Sequence, residues 1–319
     1  MNRSPFPILL TAALVLSGCV AAPAAPVAPT PAAAVETGPS QLLEDVRILS
    51  ADDMEGRDTG SPGGERARAY IVSRLEAIGV QAPPFGRLQP FQASGRTAEG
   101  VKAFSGVNIV GLIPGARVPD RYIVVTAHYD HVGVSGGQIY NGADDNASGV
   151  ATMLEMARRL KADPPEHSVL IVALDGEERG LLGAREFVRA PPVPLSSISL
   201  NLNFDMTARA ETDGHLWVTG TYQQPQLRPI LEAVAPQGPV SFAFGKDTPQ
   251  DTGENNWVDA SDHGAFHEAG VPFLYMGVDY HPDYHRPSDD FERITPAVFT
   301  SATEIAIAGF RALDRAMDR

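Results

Sequence analysis

The chain has 319 residues, 43% of them apolar, and a formal charge of -14, which is material for one large core or two ordinary ones. No Lys/Arg-rich run accompanies the acidic surplus, and this argues against nucleic acid as a partner, because phosphate binding needs clustered basic side chains. The single cysteine, Cys19, excludes an internal disulfide.

The N-terminal stretch carries one basic side chain, Arg3, then the apolar run Ile8 to Leu16, and ends in Leu16-Ser17-Gly18-Cys19. This pattern predicts an export signal over residues 1–19. The tetrapeptide resembles the lipobox of bacterial lipoproteins, which implies that Cys19 is acylated and anchors the protein to a membrane. Val20 in place of Asp implies the periplasmic face of the outer membrane in a Gram-negative source, and the cell surface otherwise. Residues 20–39 are nearly all Ala and Pro, which predicts a semi-extended tether before a folded domain over residues 40–319.

Leu42, Leu43, Val46 and Leu49 recur at helical spacing, as do Ala69, Tyr70, Val72, Leu75 and Ile78 up to the helix stop Gly79. Between them, Met54-Glu55-Gly56-Arg57 and Gly60-Ser61-Pro62-Gly63 read as a turn-rich loop. Ala82 to Gly106 also reads as loop, with Pro, Gly and polar residues and no sustained period. Strands are then expected over Val107 to Ile113, Tyr122 to Ala127, Val169 to Leu174, Ile198 to Phe204, His215 to Gly220 and Val271 to Gly277. Helices are expected from Val150 to Leu160, from Pro225 to Val234 and from Pro296 to the C-terminus, with Lys246 to Ser261 as a long polar loop placed to roof a site. This alternation predicts a three-layer α/β fold around a mostly parallel sheet, with ligands arriving from the carboxyl ends of strands.

The chemistry-bearing residues sit at those ends. In an extended segment His128 and Asp130 face the same way, a spacing that suits a metal-binding imidazole and its orienting carboxylate, and equally a structural His–Asp hydrogen bond. The Gly-bracketed turn Gly142-Ala143-Asp144-Asp145-Asn146-Ala147-Ser148-Gly149 offers carboxylates, either of which can ligate two cations at once. Glu177 and Glu178 follow a strand and invite two roles, metal ligand and proton shuttle; the alternative is a pair of solvated glutamates at a helix start. Asp205, after a further strand, reads as either cap or ligand.

Taken in order, His128-Tyr129-Asp130, Gly142 to Gly149, Gly176-Glu177-Glu178 with Gly180-Leu181-Leu182-Gly183, Asn203 to Met206, Ser261-Asp262-His263 and Tyr284 to Asp289 resemble the motif set of the M28 zinc aminopeptidase family. The upstream Met54 to Arg57 and Gly60 to Gly63 segments extend the resemblance over residues 41 to 315. It implies a mixed sheet of about eight strands and two Zn2+ ions: one held by His128, Asp145 and Asp205, the other by Asp145, Glu178 and His285. The same resemblance implies Glu177 as general base, Asp130 as the partner of His128 and a cis Asp145-Asn146 peptide. Tyr284 is a candidate donor to the developing oxyanion, Asp262 a supporting carboxylate, and Asp144 a loop carboxylate outside the cage. His131, His167, His215, His267 and His281 are read as surface or structural. The implied activity is removal of the first residue from peptides with a free N-terminus. Three alternatives stand beside it: a carboxypeptidase clamping the substrate through Arg179, Arg209 or Arg286, a single-zinc glutaminyl-cyclase-like enzyme, and a non-catalytic peptide-binding lipoprotein.

Overall fold

A computed structural model describes Met1 and residues 39–97 and 100–317. The export signal, Cys19 and nearly all of the predicted tether lie outside the described residues, among which no helix is long and apolar enough to cross a membrane. The chain opens with helices α1 (Pro39–Leu49) and α2 (Pro62–Ile78). The Ser61 hydroxyl caps α2 by accepting from the Gly64 amide at 3.1 Å, and left-handed Gly79 stops it. Then come β1 (Leu88–Thr97), β2 (Gly100–Ile113), β3 (Val118–His128) and the short ribbon of β4 (Gly133–Ser135) and β5 (Gln138–Tyr140). The remaining elements are α3 (Gly149–Ala162), β6 (His167–Leu174), α4 (Leu182–Arg189), β7 (Ile198–Phe204), β8 (His215–Thr219), α5 (Arg228–Glu232), β9 (Ser241–Phe244), α6 (His263–Glu268), β10 (Phe273–Gly277) and α7 (Pro296–Ala316).

Among the described residues the main sheet has 8 strands in the order β1-β2-β6-β3-β7-β10-β8-β9. Its central strands β6, β3, β7 and β10 run parallel, while β2 and β8 pair antiparallel against the two sides of that block. Most of β3 and β6 reads as unbroken apolar runs because helices cover both faces, whereas β7 alternates leucine with the buried Asn201 and Asn203. Alternate residues sort accordingly: Ile123, Val125, Val169 and Ile171 join the large core under α1, α2, α3 and α7, whereas Val124, Leu170 and Val172 meet Phe187 of α4 and Phe266 of α6. The expected three-layer α/β/α arrangement with a mixed, mostly parallel sheet is therefore the one observed.

Residues 88–106 correct the expected loop. Of these, Leu88–Thr97 form β1 and residues 100–106 the first half of β2, in a register running from Leu88 opposite Ile109 to Thr97 opposite Gly100. Local pattern conceals this pair because β1 is an edge strand, where Pro90 and polar side chains are tolerated and cross-strand pairing supplies the order. The helix expected from Pro225 to Val234 contracts to α5, and Ser241–Phe244 adds a strand that the sequence pattern did not indicate.

Candidate metal centre

All four parallel strands discharge at one edge. β3 ends on His128, β6 leads into Glu177 and Glu178, β7 into Asp205, and β10 into the turn that carries Tyr284 and His285. Asp145, from the turn between β5 and α3, lies among them. Its Oδ1 is 3.4 Å from His128 Nε2 and its Oδ2 is 3.0 Å from His285 Nε2. His128 Nε2 is 3.2 Å from Asp205 Oδ1, and His285 Nε2 is 3.2 Å from Glu178 Oε1. Two donor groups result, His128 with Asp145 and Asp205, and His131 with Asp145, Glu178 and His285.

His131 is thus a correction: set aside in the sequence as surface or structural, it is fully buried and belongs to the second group. The strand argument missed it because β3 stops at His128, so beyond that point alternation no longer decides which way a side chain faces. The only signal was its position immediately after Asp130. His281 and His167 are structural as expected; their rings meet Asp144 Oδ2 at 3.1 Å and Asp314 Oδ1 at 2.9 Å.

The turn that holds Asp145 is fixed from several sides. Gly142 has φ 54°, and a Cβ there would come within 2.0 Å of the Asp145 carbonyl and 2.5 Å of the His131 ring, so only glycine fits. Asp289 accepts the Asp144 amide at 3.1 Å and the Asp145 amide at 3.0 Å. Asp144 does not reach either donor group; its carboxylate takes the Ala208 amide at 2.8 Å and the Ser148 hydroxyl at 2.9 Å, tying the turn to the segment after β7. Asn146 adds a bond from Nδ2 to the Phe204 carbonyl at 2.9 Å, and the Asp145-Asn146 peptide is cis.

Asp130 acts mainly on the backbone. Its carboxylate accepts the Glu177 amide at 3.1 Å and the Glu178 amide at 3.3 Å, while His128 Nδ1 meets the Asp130 carbonyl oxygen at 3.1 Å and the carboxylate only at 3.8 Å. The adjacent glutamates diverge: Glu178 joins the second donor group and Glu177 lines the cleft. Burial, with Glu178, Asp205 and Asp262 nearby, holds the Glu177 carboxyl well above the usual range. Burial likewise lifts Asp262 to about 7, and neither of its oxygens has a hydrogen-bond partner among the described residues.

Arg57, in the turn-rich loop between α1 and α2, has a role that its place in the sequence does not announce. Its guanidinium, 1% exposed, donates to the carbonyls of Leu49, Tyr129, Asn141 and Gly142 at 2.6, 2.8, 2.6 and 2.9 Å. It therefore spans the chain on both sides of His131 and the entry to the Asp145 turn. Burial lowers its pKa to about 10, against the pull of Asp145 and Asp289, so it stays charged at neutral pH. Arg57→Met, read by urea unfolding, is expected to cost at least ~3 kcal/mol, because buried carbonyls lose a charged donor. Arg57→Lys should recover little, since an ammonium lacks the planar fork. A loss below ~1 kcal/mol in the methionine variant would show that the carbonyls find other partners.

The donor chemistry fits divalent cations. Imidazole and carboxylate without thiolate is a zinc-like set. Like charges crowded in a buried site, with His131 Nδ1 2.7 Å and His285 Nε2 3.2 Å from Glu178 Oε1, are what a bound cation satisfies. Above the donors lies a cleft of about 30 Å³ walled by Met206, Trp257, Tyr275, Val278, Tyr280 and Tyr284. Trp257 comes from the polar loop expected to roof the site. Tyr284 stacks on His285 with ring centres 4.0 Å apart, and burial raises its phenol, so it keeps its proton. A larger surface hollow of about 790 Å³, around Arg47, Gln138 and Phe291, contains none of the donor residues.

Fold and site together define an open α/β protein with two donor groups able to hold a cation, sharing one aspartate at the carboxyl edge of its sheet. The chain belongs to peptidase family M28, whose sequence model matches residues 108–309. Aminopeptidase YwaD of Bacillus subtilis (strain 168) is 32% identical over 225 residues, which cover 65% of this chain and 45% of that relative. The crystal structure of BSAP, a zinc aminopeptidase from Bacillus subtilis, superimposes with a TM-score of 0.68 at 19% identity, over 86% of this chain and 95% of that one. Glutaminyl cyclase of Porphyromonas gingivalis superimposes equally, with a TM-score of 0.68 at 19% identity over 88% and 98% of the two chains. At such identities the structural likeness is one of fold. The chain spans about half or less of the length of the curated relatives YwaD, at 45%, and the alkaline phosphatase isozyme conversion protein of Escherichia coli (strain K12), at 52%.

Proposed function

We propose that the protein is an aminopeptidase that holds two zinc ions and removes the first residue of peptides. The observation that carries this reading is the placing of the two Asp145 oxygens toward two separate donor groups, with the Glu177 carboxylate on the same cleft. His128, Asp145 and Asp205 would hold one ion, and Asp145, Glu178 and His285 the other. Bound there, the ions would acidify a water and polarise the scissile carbonyl. Glu177 takes the proton from the attacking water and returns it to the leaving amine. Asp130, through the Glu177 and Glu178 amides, fixes where those two carboxylates point. The Tyr284 hydroxyl supplies a hydrogen bond to the carbonyl oxygen as charge develops on it. The packed aromatic wall excludes bulk water, which strengthens each of these interactions.

A free α-amine suits this cleft better than a terminal carboxylate, because its described lining contains acidic side chains and neither lysine nor arginine. The arginines considered for a carboxylate clamp are committed elsewhere or outside: Arg179 pairs with Asp58 at 2.6 Å, Arg209 with Glu211 at 2.8 Å, and Arg286 is exposed. The two complete donor groups favour the aminopeptidase over a single-zinc cyclase and over a non-catalytic binder. Acylation of Cys19 and residence on the periplasmic face of an outer membrane complete the proposal; both rest on the sequence of residues 1–39.

A panel of peptides with free or acetylated N-termini, assayed with and without a chelator, tests the activity. Free peptides are expected to be cleaved, acetylated ones at least ~100-fold more slowly, and chelator should abolish turnover until zinc is restored. Rapid cleavage of the acetylated peptides would overturn the assignment.

A further inference from the structure

Resting on the dinuclear reading above, we propose that His131 is a fourth protein ligand of the second metal position, through Nδ1. The ring is fully buried, and neither nitrogen has a hydrogen-bond partner among the described residues. Such a group costs ~1–3 kcal/mol unless something satisfies it. Its Nδ1 lies 2.7 Å from Glu178 Oε1 and 3.8 Å from Asp145 Oδ2, so the ring nitrogen sits among the oxygens of the second donor group. Together with His285 Nε2, one ligand atom from each of these side chains lies within 4.8 Å of the others, close enough to share one cation. The ring is held in that attitude by backbone, since it lies against Gly142, where a Cβ would be 2.5 Å from His131 Cδ2.

The spacing of the four donor atoms supports the same conclusion. Tetrahedral zinc with bonds of ~2.0–2.1 Å sets its ligand atoms about 3.3–3.4 Å apart. Here His285 Nε2 is 3.0 Å from Asp145 Oδ2 and 3.2 Å from Glu178 Oε1, and His131 Nδ1 is 2.7 Å from Glu178 Oε1 and 3.8 Å from Asp145 Oδ2. These edges bracket the tetrahedral value. Among the described residues the group of His128, Asp145 and Asp205 has no corresponding fourth side chain.

The two positions then differ in kind. With His131 the second is closed by four protein donors, the arrangement of a structural zinc, whereas the first has three and keeps a place for water or substrate. The second ion is the more tightly held, and exchange and substrate binding belong to the first.

The test uses the full chain and reads metal rather than turnover. Parent and His131→Asn are equilibrated against a series of zinc buffers, their zinc content is measured, and X-ray absorption of the zinc-loaded parent counts imidazole ligands. Asparagine keeps an N–H donor near the Nδ1 position but is a poor zinc ligand, so it separates ligation from hydrogen bonding. The parent is expected to release its ions at widely separated free-zinc levels and to show three imidazoles shared by two ions. His131→Asn should weaken the tight ion by more than the ~10- to 100-fold loss typical of an outer partner, and His131→Asp should recover part of it. A tight ion within ~10-fold of the parent in His131→Asn, or two imidazoles in the parent, overturns the proposal. The imidazole count needs no variant and stands even where a substitution fails to fold. A parent that holds only one ion overturns the dinuclear reading itself, a result distinct from two ions held without His131.

Discussion

Glu177→Gln is expected to lower kcat by ~10²–10⁴-fold, about 3–5 kcal/mol of transition-state stabilisation, while zinc content and fold stay those of the parent. The amide has nearly the shape of the carboxylate and cannot accept the proton of the attacking water. Its position is not at risk, because Glu177 is fixed through its backbone N–H to Asp130 rather than through its side chain. Nor does it sit in either donor group, so metal binding has no reason to change. KM should therefore move little, the mark of an interaction made in the transition state. Activity within ~10-fold of the parent in a variant carrying its full zinc would remove Glu177 from the mechanism.

Asp145→Ala should abolish turnover and change the zinc stoichiometry unequally. One carboxylate serves both donor groups, so its removal leaves His128 and Asp205 on one side and His131, Glu178 and His285 on the other. A pair of side chains rarely retains zinc against a buffer, whereas three can. The expected product is a chain with one zinc, held more weakly than the tight ion of the parent, and with none once His131→Asn is added. Elemental analysis of the dialysed variants checks both. An Asp145→Ala chain that still carries two ions would show that the aspartate is not shared.

Much of this architecture was legible in the sequence. The β-branched runs of β3 and β6 announce buried parallel strands because both of their faces are covered, β7 shows itself by alternation, and the residues following them are then forced to one edge of the sheet. The adjacent glutamates could be placed for the same reason, whereas Asp145, in a turn after the short β5, was placed by the resemblance alone. What local pattern did not reveal depends on contacts distant in sequence. β1 acquires its order only from β2, His131 turns inward only because β3 has already ended, and Trp257 reaches the cleft from a loop with no period of its own. Arg57 is the clearest case. In the sequence it is one basic residue in a glycine-rich turn, and its role exists only once partners 72 to 85 residues away have folded around it.

That guanidinium also separates two notions of what this protein consists of. The family's sequence model matches residues 108–309, and every candidate ligand lies within them. The pin through the ligand-bearing loops comes from residue 57, upstream of that match. A chain trimmed to the matched residues would retain the whole vocabulary of the site without the grammar that spaces it.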